Sequence, residues 1–409
     1  MNSQAADRVL VEILGELDIP DSSYERAKLR YEDIAEWFGR PESKCLLFDP
    51  HISPQGSFRL GTVVRPVDPD GEYDLDIGCR LRKGISKATH TQKQLKLLIG
   101  EELENYRVAR RIEEEKEEKH RCWRLKYADA ISFHMDVVPS IPESSVRRQM
   151  IKEAMARAGA TEALAQNVTM HAGAITDNRL QNYGIISDDW RISNSEGYAL
   201  WFQSRMKLAK ALLEKRAVQA KVAQVDNLPV YQWQSPLQRC VQLLKRHRDI
   251  MFADEPDCKP ISMIITTLAG EAYQGEAEIA EAMFQILSTM GECVRRSTPR
   301  VPNPVNPVED FADKWADPKY RHLNLEENFW RWLEQAQNDL KVISESVDAD
   351  AIAKHAQKRY GTSLKPEVLR KKLGLGSTGS LLKQAVTPEA LSFPPKPIVP
   401  SKPAGFAKA

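Results

Sequence analysis

Three aspartates constrain what this chain can fold into more than any other feature of its sequence. Asp74 and Asp76 flank Leu75 in a segment with the pattern of a β-strand, and Asp136 lies in a later apolar strand, FHMDVVP. Because side chains alternate along a strand, the two carboxylates at positions i and i+2 point to the same side of a sheet. Burying Asp136 without a partner would be costly, and a metal ion would satisfy it. The pattern therefore predicts a sheet that presents carboxylates on one face.

Carboxylates grouped in this way suit phosphoryl transfer with divalent metal ions. Mg2+ prefers oxygen ligands and leaves part of its shell to water and substrate phosphate. Two such ions, roughly 4 Å apart, can activate an attacking hydroxyl and stabilise the leaving pyrophosphate. We therefore predict Asp74, Asp76 and Asp136 as the catalytic residues and as ligands of two Mg2+ ions, which Mn2+ can replace.

A glycine and a serine precede the paired aspartates. Gly56 allows the backbone to approach a phosphate closely, and the Ser57 hydroxyl and the adjacent N–H groups can donate hydrogen bonds to it. A loop is expected at these two residues, followed by a helix or turn. We predict Gly56 and Ser57 as phosphate-binding residues.

The hydrophobic pattern divides the chain into four parts. Helical spacing in the first forty residues gives way to short extended segments, and the pattern turns helical again after Ser140. It is clearest in Pro236–Met251, where we expect Ser235 as the N-cap and Pro236 as the first helical residue. The end of the chain contains five prolines and no acid beyond Ser392, too little apolar surface to offset the entropy of ordering it. The predicted domains are bracing helices (1–45), a sheet-containing catalytic core (46–145), a helical second lobe (146–390) and a disordered tail (391–409).

Composition excludes several classes of protein. Lys plus Arg (58) less Asp plus Glu (57) leaves a net charge of +1, so no global positive field is available to gather nucleic acid. The six cysteines are scattered without a C-x-x-C pair, which argues against zinc ribbons, iron–sulfur clusters and disulfide frameworks. The sequence shows neither a signal peptide nor the roughly 18 consecutive apolar residues of a membrane span. We expect a cytoplasmic protein with no membrane partner and no sequence-specific nucleic-acid partner.

The motifs GSFRLGT, YDLDIG and HMDVVP resemble the signature of the nucleotidyltransferase superfamily that includes DNA polymerase beta. They are more closely similar to the bacterial cGAS/DncV-like nucleotidyltransferases (CD-NTases), and the resemblance covers roughly residues 1–390. It implies a two-lobed α+β fold with a mixed-sheet catalytic lobe, an OAS-like helical lobe and the active site in the cleft. One departure is the sixteen residues between Ser57 and Asp74, which we interpret as an inserted loop around Pro66–Gly71. Further similar segments are SNSEGYALWF, LQRCVQLLKRHRD, KPISMIITTLA and NPVNPVEDFADKW.

The resemblance also implies an activity. CD-NTases join nucleoside triphosphates, with ATP expected among them here, into a cyclic di- or trinucleotide second messenger without a template and release pyrophosphate. In such a reaction Asp136 assists deprotonation of the acceptor hydroxyl, while Asp74 and Asp76 bridge both ions. The family implies bacterial anti-phage (CBASS-type) signalling, in which the messenger activates a separate effector. The tail from Ser392 to Ala409 would suit an E1/E2-like ligase that acts on the C-terminus, or another docking partner.

The resemblance assigns roles in the helical lobe as well. Members of the superfamily place a lysine and a serine against the donor triphosphate, and Lys245 and Ser262 occupy the similar positions here. A solvated basic face is the alternative interpretation of Lys245, Arg246 and Arg248. We place His134, which shares a strand face with Asp136, behind the metal ligands rather than among them.

Three other functions stay open. The first is an enzyme that adds nucleotides to RNA ends, which would need a basic surface to bind RNA. The net charge of +1 and the acidic run at Glu113–Glu118 argue against such a surface. Transfer of a nucleotide to a small molecule or to a protein is the second. The third is a non-catalytic nucleotide-binding regulator, and the intact set of three aspartates speaks against it.

Overall fold

The structure is a computed structural model that describes residues 3–68, 71–127, 133–206 and 234–375. The predicted α+β class is confirmed: these residues form a mixed sheet, a two-stranded ribbon and many helices. The strands are β1 (Pro50–Pro54), β2 (Tyr73–Leu81), β3 (Glu117–Glu118), β4 (Trp123–Tyr127), β5 (Phe133–Pro142), β6 (Gly173–Ile175), β7 (Arg191–Ser193), β8 (Pro302–Asn303) and β9 (Asn306–Asp310). The helices are α1 (Ser3–Leu17), α2 (Asp21–Gly39), α3 (Gly56–Leu60), α4 (Gln92–Ala109), α5 (Ser145–Arg157), α6 (Glu162–Thr169), α7 (195–206), α8 (Pro236–Met251), α9 (Ser262–Ala272), α10 (Ile279–Thr289), α11 (Leu325–Glu345), α12 (Ala349–Tyr360) and α13 (Pro366–Leu373).

The mixed sheet has seven strands. Five of them follow the order β1-β2-β5-β4-β3, and β6 and β7 continue from the far end of β5. Strands β2 and β5 are parallel, whereas the other pairs are antiparallel. The two aspartate-bearing strands are therefore direct neighbours in the middle of the sheet.

The strands bury one face and leave the other polar. Along β2, Tyr73, Leu75 and Ile77 are buried, whereas Asp74 is exposed and Asp76 is half-buried. The same alternation continues along β4 and β5. Residues i and i+2 share a face of a strand, so the apolar residues form one side of the sheet and the charged residues the other.

The apolar face of the sheet packs against α2 and α4. Ile34 and Phe38 of α2 and Ile99 and Leu103 of α4 are buried with it in one hydrophobic core. This core supports β2 and β5 from behind, which leaves their polar face available for a site.

A second hydrophobic core lies among the helices. Leu10 and Ile13 of α1 are fully buried there, together with residues of α8, α9 and α10 such as Leu244, Leu268 and Ile286. The first two helices therefore belong to different cores, α1 to the helical one and α2 to the sheet. The domain boundaries stated above stay predictions.

Helix α8 begins as its sequence predicts. Ser235 is the N-cap, and its hydroxyl accepts from the backbone N–H of Gln238 at 3.3 Å, while the Gln238 side chain accepts in return from the Ser235 N–H. Pro236 is the first helical residue, where its missing N–H has no cost.

Two expectations fall on residues that the structure describes partly or not at all. The tail at 391–409 lies outside the described residues. The described residues of the predicted insert, 66–68 and 71, form neither helix nor strand.

Among the helices of the described ranges, none is both long and apolar enough to span a bilayer.

Candidate active site

The structure brings the three predicted aspartates onto the polar face of the sheet. Asp76 and Asp136 are register partners across the parallel pair of β2 and β5, and Asp74 is the partner of His134. The Asp136 side chain is 16% exposed and that of Asp74 is 65% exposed. The Asp136 carboxylate is therefore largely covered, whereas the Asp74 carboxylate, near the start of β2, is open to solvent.

Asp76 lies between the other two carboxylates and responds to both. The pKa of Asp76 is raised to about 6, chiefly by burial and also by the negative charges of Asp74 and Asp136, while the positive charges of Lys245 and Arg124 oppose the rise. Like charges held together in this way are stabilised by a cation. The arrangement favours a positively charged ligand at Asp76.

Arg124 is a site residue that we did not predict. It lies on β4 opposite Asp136, and its guanidinium donates to both carboxylate oxygens at 2.7 Å. The alternation of basic residues in the strand WRLKY carried a signal, because it places Arg124 and Lys126 on one face. Identifying Asp136 as the partner, however, required the register between the two strands.

Gly56 and Ser57 begin helix α3 rather than lying in a loop. Gly56 has φ +60°, and a Cβ built on it would overlap the Asp76 carboxylate. The backbone N–H of Gln55 donates to the carbonyl oxygen of Asp76 at 2.7 Å. The start of α3 is therefore fastened directly over Asp76, where only glycine leaves the carboxylate in place.

Lys245 is a buried residue of α8. Its Nζ donates to the carbonyl oxygen of Thr62 at 2.8 Å. The pKa of Lys245 is lowered to about 8, chiefly by burial and also by the positive charge of Arg248, against the opposing charges of Asp249, Asp76 and Asp74. Lys245 thus feels the field of the aspartates.

Ser262 is the first residue of α9, and its hydroxyl accepts from Arg248 Nη1 at 2.9 Å. This bond links it to α8, the helix that carries Lys245. The alternative interpretation of a solvated basic face is wrong, because Lys245, Arg246 and Arg248 are only 8%, 5% and 4% exposed. Each of these cations is buried because it has acceptors: Arg246 donates to the carbonyl oxygen of Arg65, and Arg248 also pairs with Asp249.

His134 contacts acidic side chains at the open edge of the site. Its Nε2 pairs with Glu72, and its Nδ1 lies 3.7 Å from Asp74 Oδ1. This placement orients the residues at the start of β2. It agrees with a supporting position for His134 next to the aspartates.

The carboxylates are chemically suited to hold divalent cations. Within the described ranges, no group of three or more His, Cys, Asp and Glu side chains surrounds a single point at metal-binding distances. Arg124 occupies one position on each oxygen of Asp136, but an ionised carboxylate has about four acceptor positions and can bind a cation as well. The raised pKa of Asp76 marks the place where a cation would relieve repulsion. Asp74, Asp76 and Asp136 therefore fit Mg2+ by donor type, and the two-ion geometry stays a prediction.

A mixed sheet with three aspartates on one face, a glycine-initiated helix above them and a helical lobe beside them defines a nucleotidyltransferase. Comparison with known proteins agrees with this class. The nucleotidyltransferase domain of the family "Cyclic GMP-AMP synthase DncV-like" matches residues 50–139. This range runs from β1 into β5 and includes the three aspartates with Gly56 and Ser57.

Two curated relatives extend the similarity over most of the chain. A c-di-GMP synthase from Roseivirga ehrenbergii is 28% identical over 329 residues, covering 78% of this chain and 77% of the relative. The cyclic dinucleotide synthase CdnG from Bradyrhizobium diazoefficiens is 26% identical over 412 residues, covering 93% and 89%. The solved structure of CdnG with GTP shares the fold, with a TM-score of 0.61 and 23% identity over 90% of this chain and 98% of that one. The resemblance to the CD-NTases found in the motifs of the chain is confirmed by the family model and by these relatives.

Proposed function

We propose that this chain joins nucleoside triphosphates, without a template and with Mg2+, into a cyclic di- or trinucleotide and releases pyrophosphate. The observation that carries the proposal is the register of Asp76 and Asp136 on neighbouring parallel strands, directly beneath Gly56. It would bring the proposed metal ligands and the proposed phosphate-binding backbone together at one place. The relatives named as cyclic dinucleotide synthases support the same activity.

Each site residue has a distinct task in this reaction. Asp74 and Asp76 would hold both cations, and Asp136 would orient the acceptor hydroxyl and help to remove its proton. Bound Mg2+ supplies the positive charge that activates the hydroxyl and stabilises the leaving pyrophosphate. The N–H groups at the start of α3 and the Ser57 hydroxyl would donate to the triphosphate. Lys245 would add a positive charge beside it.

Between these two ring sizes we favour a cyclic dinucleotide, and we propose that its bases are purines. The relatives are named as makers of c-di-GMP and of cyclic dinucleotides. The CdnG structure contains GTP, and a Vibrio cholerae di-nucleotide cyclase with a TM-score of 0.51 is described with ATP and GTP. We therefore take GTP and ATP as the first substrates to test.

The proposal is tested with purified protein, all four nucleoside triphosphates and Mg2+. Phosphatase cleaves the terminal phosphates of the substrates and of linear products, whereas a cyclic product has no terminal phosphate and keeps its mass. Mass spectrometry then distinguishes the cyclic compound from the dephosphorylated linear ones. A phosphatase-resistant cyclic di- or trinucleotide supports the proposal, and a cyclic dinucleotide of purines supports the narrower choice of product. Dependence on added RNA, with ladders of extended RNA and no resistant compound, contradicts it.

The biological setting is proposed from the family. We place the chain in the cytoplasm, in anti-phage (CBASS-type) signalling with a separate effector that the messenger activates. A protein partner is also proposed, because a structural relative from E. coli, CdnC, is described in complex with a HORMA protein. An E1/E2-like ligase acting on the tail is the specific partner that we propose. Deleting residues 393–409 should leave synthesis within about a few-fold of wild type and remove any conjugate in the native host.

A further inference from the structure

Side chains on and just before α8 donate hydrogen bonds to a run of backbone carbonyls beside the site. The acceptors lie in residues 60–65, which we call the carbonyl segment. It starts at the last residue of α3. The bonds are Gln234 Nε2 to Gly61 O (3.5 Å), Gln238 Nε2 to Leu60 O (2.9 Å), Gln242 Nε2 to Val63 O (2.8 Å), Lys245 Nζ to Thr62 O (2.8 Å) and Arg246 Nη2 to Arg65 O (2.5 Å).

The carbonyl segment needs these donors. Its residues after Leu60 form neither helix nor strand, so their carbonyls lack the partners that regular structure would supply. Residues four apart lie on the same face of a helix, and Gln238, Gln242 and Arg246 follow that spacing. One face of helix α8 therefore carries a row of side-chain donors that bind the irregular backbone of the carbonyl segment.

The two glutamines are held in a single orientation. Gln238 Oε1 accepts from the N–H of Ser235 at 2.8 Å, and Gln242 Oε1 accepts from Arg239 Nη1 at 3.2 Å. With the amide oxygen engaged in this way, the NH2 group of each side chain is directed at a carbonyl of the segment. Both ends of each glutamine amide are therefore hydrogen-bonded, which fixes the side chain against the carbonyl segment.

The carbonyl segment in turn holds the start of α3. The N–H of Thr62 donates to the carbonyl oxygen of Ser57 at 2.9 Å, which closes the turn after the short helix. Gly56 at the other end of that helix contacts the Asp76 carboxylate. A continuous set of contacts therefore connects α8, in the helical core, with Asp76 on the sheet.

We propose that Gln238 and Gln242 are positioning residues that fix the start of α3 over Asp76 from the helical lobe. The inference rests on the proposed function, because it takes Gly56 and Ser57 as the phosphate-binding residues. Glutamine is suited to this task because it is neutral. Lys245 and Arg246 gain from turning to an anionic triphosphate, whereas the glutamines keep the segment in place when such a ligand arrives.

The test replaces each glutamine by glutamate, which has the same shape. Gln242→Glu and Gln238→Glu keep an oxygen for the donor at Oε1 and set a second oxygen against the segment carbonyl. Gln337→Glu is the matched control, because Gln337 Nε2 donates to Leu287 O at 2.6 Å within the helical core. All three variants are first checked for wild-type far-UV circular dichroism and a cooperative thermal transition.

Two measurements are made on each folded variant. Hydrogen exchange of residues 56–65, without nucleotide, reports how firmly the segment is held, and about tenfold faster exchange is expected in Gln242→Glu and Gln238→Glu. Steady-state kinetics should show the KM for the nucleoside triphosphate raised about tenfold in the same variants. The control should keep the wild-type exchange rates and KM.

Wild-type exchange and KM in both site variants would overturn the proposal. An equal rise of KM in the control would overturn it as well, since it would show a general effect of lost stability. Hydrogen exchange requires no activity, so a wild-type chain that makes no product counts against the proposed function alone. In that case unchanged exchange in both site variants overturns the positioning role, and faster exchange confined to them supports it.

Discussion

Arg124 donates two hydrogen bonds to Asp136 across the β4 and β5 pair, from Nε to Oδ1 and from Nη2 to Oδ2, each at 2.7 Å. This contact raises the pKa of Arg124 above its usual range, chiefly through the hydrogen bonds to Asp136. The fork of a guanidinium matches a carboxylate in plane and spacing. Arg124 therefore fixes the orientation of the aspartate that we assign to the acceptor hydroxyl.

Replacing Arg124 should impair catalysis more than stability. We expect Arg124→Gln to lower kcat about 10- to 100-fold, because a misplaced Asp136 loses its alignment with the acceptor. Arg124→Lys should rescue only part of the rate, since lysine keeps the charge but cannot bind both oxygens in plane. Steady-state kinetics measure both effects.

Arg82 provides the control for that substitution. It pairs with Asp49 on the surface at 2.7 Å, so Arg82→Gln removes an arginine–aspartate pair away from the three aspartates. We expect kcat to stay within about twofold of wild type there. Equal losses in the Arg82 and Arg124 variants would contradict a specific role for Arg124.

Gly56→Ala should abolish most of the activity. The new Cβ would overlap the Asp76 carboxylate and must displace it. Gly374→Ala is the matched control, because Gly374 also has a positive φ, +68°, yet a Cβ there meets nothing within 4 Å. Both variants bear the strain of a positive φ, about 1 kcal/mol. Nucleotide turnover lost in Gly56→Ala and retained in Gly374→Ala would assign the loss to Asp76.

The affinity for divalent cations should depend on pH through Asp76. Burial, with the charges of Asp74 and Asp136, raises the pKa of Asp76 to about 6 in the metal-free protein. Protons therefore compete with the cation below about pH 6, and affinity should rise with pH up to that point and then level off. Calorimetric titration with Mn2+ between pH 5 and 8 measures the effect, and a flat profile would contradict it.

The affinity for nucleotide should depend on the charge of Lys245 at higher pH. Burial lowers the pKa of Lys245 to about 8, so the positive charge proposed to meet the triphosphate is lost above that pH. The affinity for nucleotide should fall above about pH 8 in the wild type. It should hold to higher pH in Lys245→Arg, whose guanidinium stays protonated. Identical profiles for the two proteins would remove Lys245 from the triphosphate site.

The same shift has a consequence for stability. The folded pKa of Lys245 lies below the unfolded value, so the unfolded chain binds more protons between about pH 8 and 10.5. The contribution of Lys245 to the free energy of unfolding therefore rises with pH across that window. Denaturant titrations of the wild type and Lys245→Met would show the difference.

Much of the site could be predicted because its residues are marked by local pattern. The alternation around Asp76 and the apolar surroundings of Asp136 show which face each side chain takes, and both predictions of face are confirmed. The N-cap at Ser235 is also confirmed, since a cap depends on neighbours in sequence. What could not be predicted depends on distant neighbours. Arg124 required the strand register.

The burial of the basic residues of α8 also depends on distant neighbours and could not be predicted. Two adjacent basic residues such as Lys245 and Arg246 are typical of a solvated helix face. Nothing in the neighbouring sequence indicates that backbone carbonyls of residues 60–65 accept their hydrogen bonds. Burial of these cations depends on acceptors that are about 180 residues away in sequence. Only the packing of the two cores brings them together.

The central claim is that the aspartates on β2 and β5 perform nucleotidyl transfer, and Asp76→Asn tests it most directly. The substitution keeps the size of the side chain and removes the charge that would hold the cations. The account predicts that pyrophosphate release from nucleoside triphosphates with Mg2+ falls about 10²- to 10³-fold, or about 3–4 kcal/mol of transition-state stabilisation, while the fold is retained. Nucleotide consumption by Asp76→Asn at the wild-type rate would contradict the account.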